Sequence, residues 1–126
     1  MKLTKNFNKE EFDSNDGSEM PLSVLENIKV LAVQLQYLRD YTGSSVSVNS
    51  GYRSPAHNKS IGGVKSSRHT KGFASDITIK GYTPDEVYKL IQDLISKGKI
   101  LQGGLGKYKT FTHYDIYFDG KNIRRW

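Results

Sequence analysis

The chain has 126 residues, 36% of them apolar, which is enough for one folded domain with its own core and too few for two. It contains no cysteine, so a disulfide framework and a thiolate metal site are both excluded. Nineteen basic and thirteen acidic residues give a net charge of +6, which favours an anionic partner: nucleic acid, a membrane surface or an acidic cell-wall polymer. Charge by itself does not choose among these three.

The N-terminal segment leads into acidic residues rather than into an apolar stretch. Residues Met1 to Phe7 therefore predict neither a secretory signal nor a membrane span, and we expect the protein to be made in a cytoplasm. There is no internal repeat or low-complexity tract. A single domain over residues 1–126 is predicted, and we expect it to be a monomer.

The first predicted helix runs from about Leu22 to Thr42. Ser23 and Glu26 have the spacing of a capping box, and Gly43 is a typical helix stop. Apolar residues recur at helical spacing and predict a buried face: Leu25, Ile28, Leu31, Ala32, Leu35 and Leu38.

The second predicted helix runs from about Pro84 to Lys97. Thr83 is the expected N-cap, Pro84 occupies the first turn and Glu86 completes a capping box. Gly98 should end the helix. Its apolar stripe consists of Val87, Leu90, Ile91, Leu94 and Ile95.

Four stretches rich in alternating or β-branched residues predict strands, at Ser45–Asn49, Phe73–Ile79, Gly103–Tyr108 and Thr110–Phe118. The Gly/Ser-rich segment Lys59–Ser67 is interpreted as a surface loop that leads into a site. Helices and strands in this order indicate an α+β fold with a small, mainly antiparallel sheet packed with helices.

Strand alternation places polar groups together on one face of this sheet. In the second strand, Ile77 and Ile79 take the core face and Asp76 the open face. In the last strand, Tyr114, Ile116 and Phe118 are expected in the core, while His113 and Asp115 look the other way. If the two strands are neighbours, their polar faces converge.

His69 could complete a set of three ligands from a loop. Two imidazoles and one carboxylate, His69, Asp76 and His113, suit a catalytic zinc, because three protein ligands leave the fourth position open. An isolated histidine is more often structural, which is the interpretation given to His57 in its turn. Asp76 could be a solvated turn carboxylate, but a buried unpaired charge is costly, so a cation is expected beside it.

Three motifs together resemble those of peptidase family M15, the zinc D-Ala-D-Ala carboxypeptidases and murein endopeptidases, whose fold is shared with the hedgehog signalling domain. The similarity covers nearly the whole chain. The motifs are Ser67-x-His69-x-x-Gly72-x-Ala74-x-Asp76, the later His113-x-Asp115, and the upstream turn Ser50-Gly51-Tyr52-Arg53-Ser54.

The resemblance implies a hedgehog/DD-peptidase-like fold and zinc-dependent hydrolysis of peptide bonds in the stem or cross-bridge of peptidoglycan. It makes His69, Asp76 and His113 the zinc ligands. Arg53 would bind and polarise a substrate carbonyl or carboxylate near the metal. Ser67 would be a hydrogen-bonding partner of the substrate.

The general base is where the sequence departs from the family pattern. Several branches carry Glu or Asp three residues before the last ligand, but Thr110 stands there and cannot accept a proton at neutral pH. Asp115 is the best remaining candidate. It would act as base, orient a ligand from behind, or replace His113 as ligand; the first two roles are favoured, and His57 is a more distant alternative.

Two other functions remain open from the sequence. A wall-binding module that keeps zinc but has lost catalysis is favoured by Thr110, whereas nucleic-acid binding has only the net charge in its favour and no recognised motif. A peptidase made without a signal would reach the wall after release from the cell or as part of a phage particle, so a phage or prophage lysin is the expectation. Trp126 is expected to be a packing anchor.

Overall fold

The computed structural model describes all residues, 1–126. It has three α-helices and one four-stranded antiparallel sheet, which confirms the α+β class. The elements are α1 (Leu22–Thr42), β1 (Val46–Ser50), α2 (Pro55–Ser60), β2 (Ala74–Ile79), α3 (Pro84–Ser96), β3 (Leu105–Lys107) and β4 (Thr112–Asp115), with 3₁₀ turns at Lys9–Phe12 and Arg68–Lys71.

Helix α1 has the predicted bounds, but its start is built differently. The extended residue Pro21 is the N-cap, and no side chain caps the helix. The capping box predicted from Ser23 and Glu26 is wrong, because Ser23 already lies inside the first turn. At the other end Gly43 adopts the left-handed conformation, with φ of 66°, as a glycine stop requires.

Helix α3 confirms the predicted capping box. Thr83 Oγ1 accepts a hydrogen bond from the Glu86 amide at 3.2 Å, and Glu86 Oε1 accepts one from the Thr83 amide at 2.8 Å. The helix ends at Ser96, with Lys97 as C-cap and Gly98 left-handed at φ of 70°.

The short helix α2 replaces the turn that was expected around His57. Ser54 Oγ accepts a hydrogen bond from the His57 amide at 3.0 Å, and Pro55 occupies the first helical position. Ser54 in turn donates to Asp16 Oδ2 at 2.8 Å, so α2 is tied to the N-terminal segment. Hydrogen bonds from Ser14 and Ser54 hold the pKa of the Asp16 carboxyl well below its usual range.

The sheet order is β1-β2-β4-β3, so the two strands that carry Asp76 and His113 are hydrogen-bonded neighbours. All four strands lie within a residue or two of the predicted starts, but β4 stops at Asp115. Phe118 was expected in the core and is 41% exposed, because strand alternation no longer applies beyond Asp115. Tyr114 is fully buried as predicted.

One hydrophobic core joins α1 and α3 to the sheet. The predicted stripe of α1 is entirely buried, and each large apolar side chain in it contributes about 1.5 to 3 kcal/mol by leaving water. Ile77, Ile79 and Tyr114 cover the core from the sheet, which leaves Asp76 and His113 on the opposite face. None of the helices combines the length and apolar character that crossing a bilayer requires.

Candidate metal centre

Three buried side chains converge on the face of the sheet that looks away from the core. Asp76 and His113 are directly opposite each other in the β2–β4 ladder, and His113 Nδ1 lies 3.2 Å from Asp76 Oδ1. His69 comes from the 3₁₀ turn before β2, with its Nε2 3.3 Å from the same oxygen. One ligand atom from each of the three lies within 4.8 Å of the others, which is the spacing that a common metal ion needs.

The turn that carries His69 is fixed at both ends. Ser67 caps it, since its Oγ accepts a hydrogen bond from the His69 amide at 3.3 Å. The Arg53 amide donates to the His69 carbonyl at 3.0 Å. Gly72 closes the turn with φ of 78°, and a Cβ there would lie 2.7 Å from Val24 on α1. The conformation and the close approach both demand glycine.

Hydrogen bonds outside the cluster set which nitrogen of each ring is free. His69 Nδ1 lies 2.9 Å from the Gly51 carbonyl, which can only accept, so Nδ1 carries the proton. His113 Nε2 lies 2.7 Å from Asp115 Oδ2 and donates to that carboxylate. In the neutral rings, the lone pairs of His69 Nε2 and His113 Nδ1 are thereby directed at Asp76, and when a ring takes up a proton the same nitrogen donates to this carboxylate. This is the arrangement by which proteins orient histidine ligands of a metal.

Asp115 lies behind the ligands and has no exposed surface. Its Oδ1 accepts from the Gly104 amide at 2.9 Å and the Tyr117 amide at 3.1 Å, and Arg124 donates to both of its oxygens. Burial would raise the pKa of the Asp115 carboxyl, but hydrogen bonds from His113 and Arg124 lower it to about 2. Asp115 is therefore a fixed negative charge at neutral pH.

The cluster itself favours positive charge at its centre. Burial opposes ionisation of Asp76, yet hydrogen bonds from His113 and His69 hold the pKa of this carboxyl well below its usual range. Burial also disfavours the charged imidazole of His113, but Asp115 and Asp76 raise the pKa of His113 above its ordinary value. Protons and a metal cation thus compete for the same lone pairs.

Arg53 reaches the edge of the cluster from the loop after β1. Its Nη2 lies 3.7 Å from Asp76 Oδ2 and its Nη1 3.1 Å from Asn58 Oδ1. Asn58 is itself buried and donates to the Val64 carbonyl at 2.8 Å. The Nε of Arg53 is buried with no hydrogen-bonding partner. Contacts with Asn58 and Asp76 thus hold the guanidinium at the edge of the cluster.

A family model described as Peptidase M15 matches residues 2–115. The chain belongs to the peptidase M15 family. The matched stretch includes His69, Asp76 and His113, as well as Arg53 and Asp115. Membership supports a metallopeptidase, and the buried His-Asp-His cluster is compatible with the zinc dependence of M15 peptidases. Comparison with curated proteins finds no match.

In this M15 chain the cluster lies at the base of a cleft of about 590 Å³. All the residues predicted to carry function line it: Arg53, Ser67, His69, Asp76, His113 and Asp115. Thr110 and His57 do not line it. Asp76 and Asp115 are its only carboxylates, and both are engaged by neighbouring histidines.

The last residues of the chain reach this cleft, which sequence reasoning did not predict. They run parallel to β3, with hydrogen bonds from the Leu105 amide to the Arg124 carbonyl and from the Trp126 amide to the Leu105 carbonyl, both 3.1 Å. The Trp126 ring centroid lies 5.0 Å from that of His113, and the indole is 48% exposed. Trp126 therefore forms a wall of the cleft, whereas the sequence predicted only that it would anchor the end of the chain by packing.

One sequence signal could have revealed this approach. Gly106 interrupts β3, and a glycine inside a strand often marks a site where another part of the chain comes close. A Cβ at Gly106 would collide with the Trp126 indole. Arg124 carried no comparable signal. Both Arg124 and Trp126 lie beyond the matched family region.

Proposed function

We propose that this M15 protein is a zinc peptidase that hydrolyses peptide bonds in the stem or cross-bridge peptides of peptidoglycan. The observation that carries the proposal is the orientation of His69 and His113, whose free nitrogens are directed at Asp76 by the Gly51 carbonyl and by Asp115. An acceptor behind each ring, with both free nitrogens turned to one carboxylate, is typical of histidine ligands of a metal. The open cleft above the cluster supplies room for a substrate.

His69 Nε2, Asp76 Oδ1 and His113 Nδ1 would hold the zinc. When bound there, zinc would polarise the scissile carbonyl and make a water molecule more acidic. Arg53 would donate from its guanidinium to the carbonyl oxygen as charge develops on it, or to a substrate carboxylate. Ser67 lies in the cleft wall and would donate its hydroxyl proton to the peptide while its oxygen keeps accepting from the His69 amide.

Asp115 was predicted either to act as general base or to orient a ligand, and its contacts favour orientation. Both oxygens already accept hydrogen bonds, and the side chain has no exposed surface. A base must instead reach the proton that it removes. We therefore propose that Asp115 fixes the ring of His113 and balances its charge. Movement of protons through Asp115 stays a second role to be tested.

The test is digestion of purified muropeptides followed by mass analysis. The protein should release defined fragments when zinc is present, lose this activity with a chelator and regain it when zinc is added back. His113→Ala should bind no stoichiometric zinc and cut nothing. His57→Ala is the matched control, because His57 lies outside the cleft, and it should behave as wild type.

If intact sacculi and isolated stem peptides both stay uncut by the zinc-loaded protein, the peptidase proposal fails. The second candidate, a zinc-containing wall-binding module, is then supported if the protein still sediments with sacculi. The observation in its favour is that Thr110 lies outside the cleft and that neither cleft carboxylate is free of a histidine contact.

The place of action follows from the proposed substrate. A net charge of +6 favours adsorption to an anionic cell wall. We propose a phage or prophage lysin that acts after release from the cytoplasm or as part of a virion, as a monomer. Addition of the purified protein to permeabilised bacteria should lower their turbidity in a zinc-dependent manner, and unchanged turbidity would argue against lysis.

A further inference from the structure

A second cavity, of about 710 Å³, opens beside the metal cleft. It lies between α2, the loop that follows α2 and the turn that carries His69. None of its lining residues is hydrophobic: Pro55, Asn58, Lys59, Gly63, Lys65, Ser66, Ser67, Arg68, Thr70 and Lys71. We refer to it as the basic cavity, after Lys59, Lys65, Arg68 and Lys71.

The four cations of the basic cavity have no acidic counterpart. Lys59, Lys65 and Lys71 are exposed and take part in no ion pair, although five other lysines of the chain do. Arg68 stacks on the ring of Tyr117, with its guanidinium carbon 3.8 Å from the ring centroid. No Asp or Glu lines the cavity. Like charges held around a concave surface attract anions from solution.

The basic cavity adjoins the metal cleft. Gly63, Ser66, Ser67 and Arg68 line both. Ser67 caps the turn that positions His69, so a ligand that leaves the metal site on this side passes directly over Ser67 and Arg68. An occupant of the basic cavity is therefore best explained as a further part of the molecule bound at the metal.

We propose that the basic cavity is a subsite for a carboxylate group that the peptide substrate carries on a residue away from the scissile bond. This rests on the proposed peptidase function. The planar guanidinium of Arg68, held by Tyr117, suits a carboxylate, and the lysines add charge around it. The cavity volume falls within the range of about 300 to 1,000 Å³ typical of small-ligand pockets, which favours a peptide side chain over a long anionic polymer.

The experiment compares pairs of otherwise identical stem-type peptides that carry glutamate or glutamine at each position on either side of the scissile bond. At one position, wild type should show a kcat/KM about two- to fivefold higher for the glutamate peptide, the size expected for partly solvated ion pairs. Raising the salt to about 0.5 M should shrink this ratio. The double variant Lys65→Gln/Lys71→Gln should lower the ratio towards one, with Arg68 still in place.

The matched control is Lys80→Gln/Lys99→Gln, which removes the same charge from two exposed lysines outside both cavities. It should keep the wild-type ratio. If wild type cuts glutamate and glutamine peptides equally well at every position, the basic cavity is not a carboxylate subsite, while the peptidase function stands.

A binding measurement separates this proposal from the peptidase proposal. If no peptide is cut, the same pairs are titrated into the zinc-loaded protein by calorimetry. Tighter binding of a glutamate peptide that is weakened in Lys65→Gln/Lys71→Gln supports the subsite, and equal binding of the glutamate and glutamine peptides by wild type overturns it. Lysine-dependent binding of poly(glycerol phosphate) without any glutamate preference would also overturn it, since the cavity would then serve a phosphate polymer.

Discussion

Replacing Asp115 by asparagine tests how the protein orients its candidate metal ligands. The substitution keeps the size of the side chain but removes its charge and one of its two acceptor oxygens. Arg124 and His113 must then compete for the remaining oxygen, because both donate to Asp115 in the wild type. His113 Nε2 loses its charged partner, so Nδ1 becomes a weaker donor to zinc.

The expected loss is about 10- to 100-fold in zinc affinity, the usual effect of removing an outer partner of a histidine ligand, which corresponds to about 1.4 to 2.7 kcal/mol. A hydrogen bond to a charged group contributes about 1.5 to 3 kcal/mol, which agrees with that range. The 2.7 Å contact between His113 Nε2 and Asp115 Oδ2 supports the upper part of the range, because both groups are buried.

Zinc affinity is measured by competition with a chromophoric chelator at neutral pH. Asp93→Asn serves as the control, since Asp93 forms only an exposed pair with Lys97 on α3. Circular dichroism of both variants checks that the fold is kept. A folded Asp115→Asn protein with wild-type zinc affinity would refute the idea that this carboxylate orients His113.

Three further predictions concern the cleft wall, the N-terminal segment and the turn of the ligand His69. Trp126 is the only tryptophan, and its ring centroid lies 5.0 Å from that of His113, so zinc binding should change the tryptophan fluorescence of the wild type. The Trp126→Phe variant should show no such change when zinc is added. An unchanged wild-type spectrum at saturating zinc would contradict the position of Trp126 beside the metal site. Because the pKa of Asp16 is lowered, this carboxylate stabilises the fold above its ordinary pKa, and its contribution declines as the pH falls below about 4. Chemical denaturation should therefore show that the free energy of unfolding falls more steeply with decreasing pH for wild type than for Asp16→Asn. Equal pH dependence of the two proteins would contradict this role of Asp16. Gly72→Ala should lower the free energy of unfolding by more than about 1 kcal/mol, because alanine is strained at φ of 78° and its Cβ meets Val24; a wild-type melting temperature would show that the turn can relax.

Local rules predicted the helices well. The bounds of α1 and the capping box of α3 depend on residues close together in the chain, so spacing alone was sufficient. The predicted box at Ser23 failed because Pro21 can serve as an extended N-cap without a side-chain acceptor. The capping-box rule considers only the spacing of side chains, so it could not identify Pro21 as the N-cap.

The convergence of His69, Asp76 and His113 could also be predicted, because strand alternation and the family-like motifs agree. The direct pairing of Asp76 with His113 depends on the strand order, which the sequence left as a condition and the structure supplies. What could not be predicted is the return of Arg124 and Trp126 alongside β3, since a contact between distant segments has no local periodicity. For the same reason the pairing of Asp115 with Arg124 could not be predicted, although a role of Asp115 in orienting a ligand was.

The two histidines differ in what holds their outer nitrogens. His69 donates a hydrogen bond to the carbonyl of Gly51, a main-chain group that every residue type would supply. His113 donates to the carboxylate of Asp115, which one nucleotide change can remove. A single codon change at Asp115 would therefore alter the charge and orientation of His113, and with them the affinity for any metal held there. On the His69 side, the same change would require the backbone itself to move.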